Sequence, residues 1–307
     1  MKKGYSILLC LLFCGIILFV LSGLLIEKYE LPDTFDENCL ITDDDVFILD
    51  SGNPGINILL LGGVHGDEES GIVALKEIRN EFQRNERTLL TGKIYIIPTA
   101  NKCGYKEFSR YVPGLPNSDI NRNFPHKKGS DDCKGPLSQI ILAYANDSDL
   151  VMDFHEGYDF YNKGGVNSIG STLTTVGCDV SNRITNYIVD ELNKDITENY
   201  KKFGIISSDP KSAQYQSGFE IKGTLDYYCF INDINYILTE ITGKKNEITG
   251  KHPQPLDLRV KQVKKVVDSM FNYINNNKIT KDYQCEKDNK NYKGYYINQV
   301  DHECLKC

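Results

Sequence analysis

Strand-like apolar runs alternate with helix-like apolar stripes along most of this chain, which restricts it to an α/β architecture on a parallel or mixed sheet. Residues 46–49 and 56–61 read as strands, and the second is apolar except for Asn57, the pattern of a strand covered on both faces. Over 69–82 the period becomes helical, with Ile72, Leu75, Ile78 and Phe82 on one face. Further strands are expected at 93–98, 150–154 and 236–239, and helices at 180–193 and 258–274. In the last of these Val260, Val263, Val267, Met270 and Ile274 form the apolar stripe. The stretch 103–137 has little periodicity and many Gly, Pro, Asn and Asp residues; loops of that length in compact domains are commonly functional. These patterns predict one α/β domain over 31–275, with a mixed central β-sheet flanked by helices, followed by a polar, cysteine-containing tail over 276–307.

The N-terminus has a different character. Met1-Lys2-Lys3 precedes an uncharged apolar run over 6–26, long enough as a helix to cross a bilayer. A cleavable signal usually has a shorter apolar region and a small-x-small site, so 1–30 is expected to be an N-terminal transmembrane anchor, with a cleaved signal as the alternative. Lys2 and Lys3 orient the anchor so that the rest is extracytoplasmic; cleavage would make the protein secreted. Cys10 and Cys14 lie in the run, and the eight remaining cysteines suit disulfides in an oxidising compartment. The net charge of −7 and the lack of a basic stripe exclude nucleic acid as an expected partner.

Only five histidines are present, and two directly follow strand patterns. His65 lies in Gly62-Gly63-Val64-His65-Gly66-Asp67-Glu68, and His155 in Asp153-Phe154-His155-Glu156-Gly157. Strand ends are where α/β sheets bind ligands. Two imidazoles and a carboxylate with one open position make a catalytic zinc set, so His65, Glu68 and His155 are the candidate metal ligands. His-x-x-Glu alone is weak evidence, because Asp67 or Glu68 is equally suited to capping the helix that begins at 69.

Four motifs in order strengthen the zinc assignment: His65-Gly66-Asp67-Glu68, Asp119-Ile120-Asn121-Arg122-Asn123-Phe124-Pro125, Asp153-Phe154-His155-Glu156-Gly157 and Ile237-Leu238-Thr239-Glu240. Together they resemble the superfamily that unites zinc carboxypeptidases with the succinylglutamate desuccinylase/aspartoacylase deacylases. The resemblance implies one Zn(2+) per chain on His65, Glu68 and His155. It implies that Asp119 hydrogen-bonds a ligand histidine, that Asn121 and Arg122 grip a substrate carboxylate, and that Arg110 polarises the scissile carbonyl. Glu240 matches the general base, with Glu156 as its rival, although neighbours on a strand point to opposite faces. Asn101-Lys102-Cys103-Gly104-Tyr105 resembles the family's Asn-Pro-x-Gly-Tyr, with Lys102 in place of proline. Tyr215 matches the carboxypeptidases' mobile tyrosine, and Leu225, in Gly223-Thr224-Leu225-Asp226-Tyr227, matches the floor of their side-chain pocket.

The activity so implied is zinc-dependent amide hydrolysis on a peptide or N-acyl amino acid bearing a carboxylate. Extracytoplasmic placement and the 215–227 features favour removal of a C-terminal residue from peptides. The spacing of Arg110 to Asn121 favours an N-acyl amino acid deacylase instead. An inactive binding domain of the same fold is a third reading, against which the intact ligands and base weigh.

Overall fold

The computed structural model describes residues 29, 31–33, 35–165, 168–176, 179–206, 221–244, 250–277 and 279. The expected anchor at 6–26, Tyr215 and the tail from 280 onward lie outside them. Among the described residues no helix is long and apolar enough to cross a membrane.

A seven-stranded mixed sheet forms the centre, in the order β1-β3-β2-β4-β7-β5-β6. Its strands are β1 (Phe47–Asp50), β2 (Asn57–Gly62), β3 (Lys93–Ile97), β4 (Leu150–Gly157), β5 (Thr172–Val176), β6 (Gly204–Ile205) and β7 (Asn235–Thr242). The central β3, β2, β4 and β7 run parallel, while β1 and β5 pair antiparallel with β3 and β7. The helices are α1 (Glu69–Gln83), α2 (Lys102–Glu107), α3 (Pro136–Asn146), α4 (Asp179–Asn193), α5 (Leu225–Ile231) and α6 (Leu256–Asn277).

Strand alternation sorts the side chains into two cores. Ile58 and Leu60 of β2, with Leu150, Met152 and Phe154 of β4, meet α1, α4 and α6 on one face. Leu59 and Leu61 of β2, with Val151 of β4 and Tyr236 of β7, meet α3, α5 and the segment from Phe35 to Ile41 on the other. By the same parity Asp153, His155 and Glu240 belong to the α3/α5 face and Glu156 to the opposite one. One disulfide, Cys39–Cys103, forms among the described residues and ties that segment to α2.

Candidate functional site

The parallel order brings the C-terminal ends of β2, β4 and β7 together. His65 and Glu68 follow β2, His155 lies near the end of β4, and Glu240 of β7 is the cross-strand partner of His155. Gly66 allows the loop after β2 to press against α2, since a Cβ there would lie 2.1 Å from the carbonyl carbon of Gly104. Lys102 is the first residue of α2, a position where proline also fits, so this departure from the family pattern leaves the loop intact.

His65, Glu68 and His155 are buried, and their ligand atoms lie within 4.8 Å of one another. The two imidazoles face each other through Nδ1, 3.1 Å apart. Glu68 Oε1 is 2.8 Å from Nδ1 of His65, and Oε2 is 2.9 Å from Nδ1 of His155. Burial opposes ionisation of Glu68, yet the two histidines hold its carboxyl well below the usual range. Burial likewise opposes charge on His155, but Asp153 and Glu68 hold it well above the usual histidine range.

On their outer edges both rings meet carboxylates: Nε2 of His65 is 3.5 Å from Asp119, and Nε2 of His155 is 3.1 Å from Asp153. With the ring proton on Nε2 toward such a partner, each inward-facing Nδ1 would be left to bind a cation in place of a second proton. Two inward lone pairs and a carboxylate, buried and converging, are what a divalent cation requires, and the set fits zinc. Asp153 is held in turn by the Tyr236 hydroxyl, which donates to it at 3.0 Å. Asp153→Asn should lower zinc affinity about 10–100-fold, measured by competition with a chelator, because such outer partners carry that much.

The loop after β3 supplies the surrounding residues. Asp119 caps the short 3-10 turn Ile120–Arg122 and accepts from Nε and Nη2 of Arg110 at 3.1 and 3.0 Å. Arg110 Nη1 lies 3.2 Å from Nδ1 of His65, so its guanidinium stands at the edge of the candidate metal centre. Asn121 Oδ1 accepts from the amide of Leu225 at 2.9 Å, while the Arg122 side chain is exposed. Lys244, just beyond β7, reaches Glu68 Oε1 at 2.9 Å. Burial raises Glu240 to about 8, with Glu68 and Asp153 adding to the rise and His155 and Lys244 opposing it.

One expectation changes here. Leu225 is fully buried in the α3/α5-side core, so it lines no open pocket. Its partner in sequence, Asp226, is the residue that senses His155 and Asp153, and burial raises its carboxyl. Glu156 does not face the histidines; it lies on the other face and pairs with Arg259 of α6. Neither Asp153 nor Arg259 was assigned a role from sequence. Asp153 was within reach, being two residues before His155 on the same strand and therefore on the same face.

Residues 54–160 match the family model described as the succinylglutamate desuccinylase/aspartoacylase catalytic domain. Over 108 residues the chain is 31% identical to the N-alpha-acetyl-L-2,4-diaminobutyric acid deacetylase of Halomonas elongata. That match covers 34% of this chain and 29% of the relative, so the chain spans under a third of the relative's length. The fold is similar to tripeptide-bound Csd4, a cell shape determinant of Helicobacter pylori, with a TM-score of 0.56 at 18% identity over 75% of this chain and 55% of that one. It is also similar to carboxypeptidase A of Helicoverpa armigera, with a TM-score of 0.51 at 14% identity over 73% and 67% of the two chains.

Proposed function

We propose that the chain, whose residues 54–160 match the succinylglutamate desuccinylase/aspartoacylase catalytic domain and whose fold is similar to carboxypeptidase A, is a zinc-dependent amide hydrolase acting on N-acyl amino acids. The observation that carries this reading is the convergence of His65, Glu68 and His155, each ring oriented by its own carboxylate. Removal of a C-terminal residue from peptides is the second reading. The two change order relative to the sequence expectation for specific reasons. The matching family model is the deacylase one, and Leu225, on which a carboxypeptidase pocket rested, is core.

Held by His65, Glu68 and His155, zinc would supply Lewis acidity and a water more acidic by several pK units. The protein's own groups do the rest. Asn121 and Arg122 hold the carboxylate of the amino-acid part, for which a guanidinium fork is suited. Asn121 already uses Oδ1 on the Leu225 amide, which leaves its Nδ2 to donate. Arg110 donates to the carbonyl oxygen as it gains charge. Glu240 accepts the proton of the attacking water and passes it to the leaving amine.

Placement outside the cytoplasm belongs to the same proposal, and the Cys39–Cys103 disulfide supports an oxidising compartment. The deciding experiment is a screen of the zinc-loaded protein against N-acyl amino acids and against peptides with free C-termini. Turnover of N-acyl amino acids is expected to exceed that of peptides, and the reverse would make the enzyme a carboxypeptidase.

A further inference from the structure

Glu68 occupies the N-cap position of α1, where a carboxylate ordinarily accepts from the first free amides of its own helix. It makes no such bond, because both oxygens are turned to His65 and His155. The first turn of α1 would therefore lack a cap if nothing replaced it. Glu156 replaces it from another element: its Oε1 accepts from the amide of Ser70 at 2.9 Å. In return the backbone amide of Glu156 donates to Glu68 Oε2 at 3.1 Å. The two glutamates exchange roles across the β4–α1 junction.

A carboxylate buried there needs a counter-charge. Arg259, at 1% exposure, supplies it from the first turns of α6, with Nη1 at 2.5 and 2.6 Å from the two oxygens of Glu156. Gly243, just after β7, closes the site, since a Cβ there would lie 2.2 Å from Glu156 Oε2. A buried ion pair is poor evidence of stabilisation, because apolar residues of similar size do as well or better. Its placement next to His155 in sequence and against the helix that Glu68 precedes gives it a different use.

We infer that Glu156 and Arg259 are a positioning pair for the metal centre: they cap α1 so that Glu68 is free to face the cation, and they fix the backbone between His155 and Glu68. Helix α6, the last helix among the described residues, lies beyond the residues matched by the family model and carries no candidate ligand, yet is then part of the site. This rests on the metal-centre reading above.

The test compares the full chain with Arg259→Met and with the double variant Glu156→Leu/Arg259→Met, by thermal melting, zinc competition and amide hydrogen exchange. Arg259→Met leaves a buried carboxylate without its partner and should lower the melting temperature. The double variant removes both charges and should recover most of that loss. Its zinc affinity should nonetheless stay at least tenfold below wild type, and exchange over residues 66–72 should quicken, because the cap is gone. A purely structural pair gives the other result: zinc affinity and exchange return to wild type along with the melting temperature, and this overturns the inference. If the wild-type chain binds no zinc, the hydrolase reading fails separately. Exchange in the metal-free protein then decides, with unchanged protection over 66–72 in the double variant overturning the positioning role.

Discussion

Replacing His155 by alanine is expected to abolish stoichiometric zinc and all turnover together, and His65→Ala to do the same. Each imidazole presents Nδ1 to one point shared with Glu68, and either deletion leaves two donors where a catalytic zinc needs three. The loss should exceed the 10–100-fold in affinity expected for changing an outer partner such as Asp153, since here a bond to the metal itself is removed. Metal content by atomic spectroscopy after dialysis, with circular dichroism to establish folding, checks this. The fold should survive, because the apolar clusters on both faces of the sheet contain neither histidine. Folded variants that retain one zinc per chain would show that the cation lies elsewhere.

Much of this site was legible because strand parity and strand ends are sequence properties. Residues 58–61 and 150–152 are apolar runs, and a histidine soon after each marks the crevice before any fold is known. The helix expected over 69–82, and found at Glu69–Gln83, was equally plain from its apolar period. Other elements were hidden for physical reasons. Thr172–Val176 is a buried strand made largely of threonine, so hydrophobicity passes it over although its β-branched residues favour extension. Helix Pro136–Asn146 starts at the edge of a Gly- and Pro-rich stretch, yet proline at its first position was a usable start signal. Arg259 was out of reach, because an arginine in an amphipathic helix reads as solvated and its partner Glu156 is 103 residues away. Leu225 shows the opposite failure: the motif around it matched, but its side chain turns into the core while its amide serves Asn121.

Glu240→Gln should keep zinc and substrate affinity while lowering kcat by roughly 10²–10⁴-fold, the usual contribution of a positioned acid–base group. The amide preserves shape and hydrogen-bonding reach but accepts no proton, so the loss falls on kcat rather than KM. Parity makes Glu240 the candidate: opposite His155 on the parallel neighbour, it shares that residue's face, whereas Glu156 faces Arg259. Burial raises its carboxyl to about 8, and a cation on the neighbouring ligands would draw it down from there. The base must be ionised to act, so kcat should rise with pH through an acid limb below about 8, and that limb should vanish in Glu240→Gln. Glu156→Gln should leave the limb in place, because its carboxyl is on the far side of β4 and meets no substrate. If Glu156→Gln removed the limb and Glu240→Gln kept it, proton transfer would run through the opposite face of the sheet. The face assignment on which the whole site rests would then be wrong.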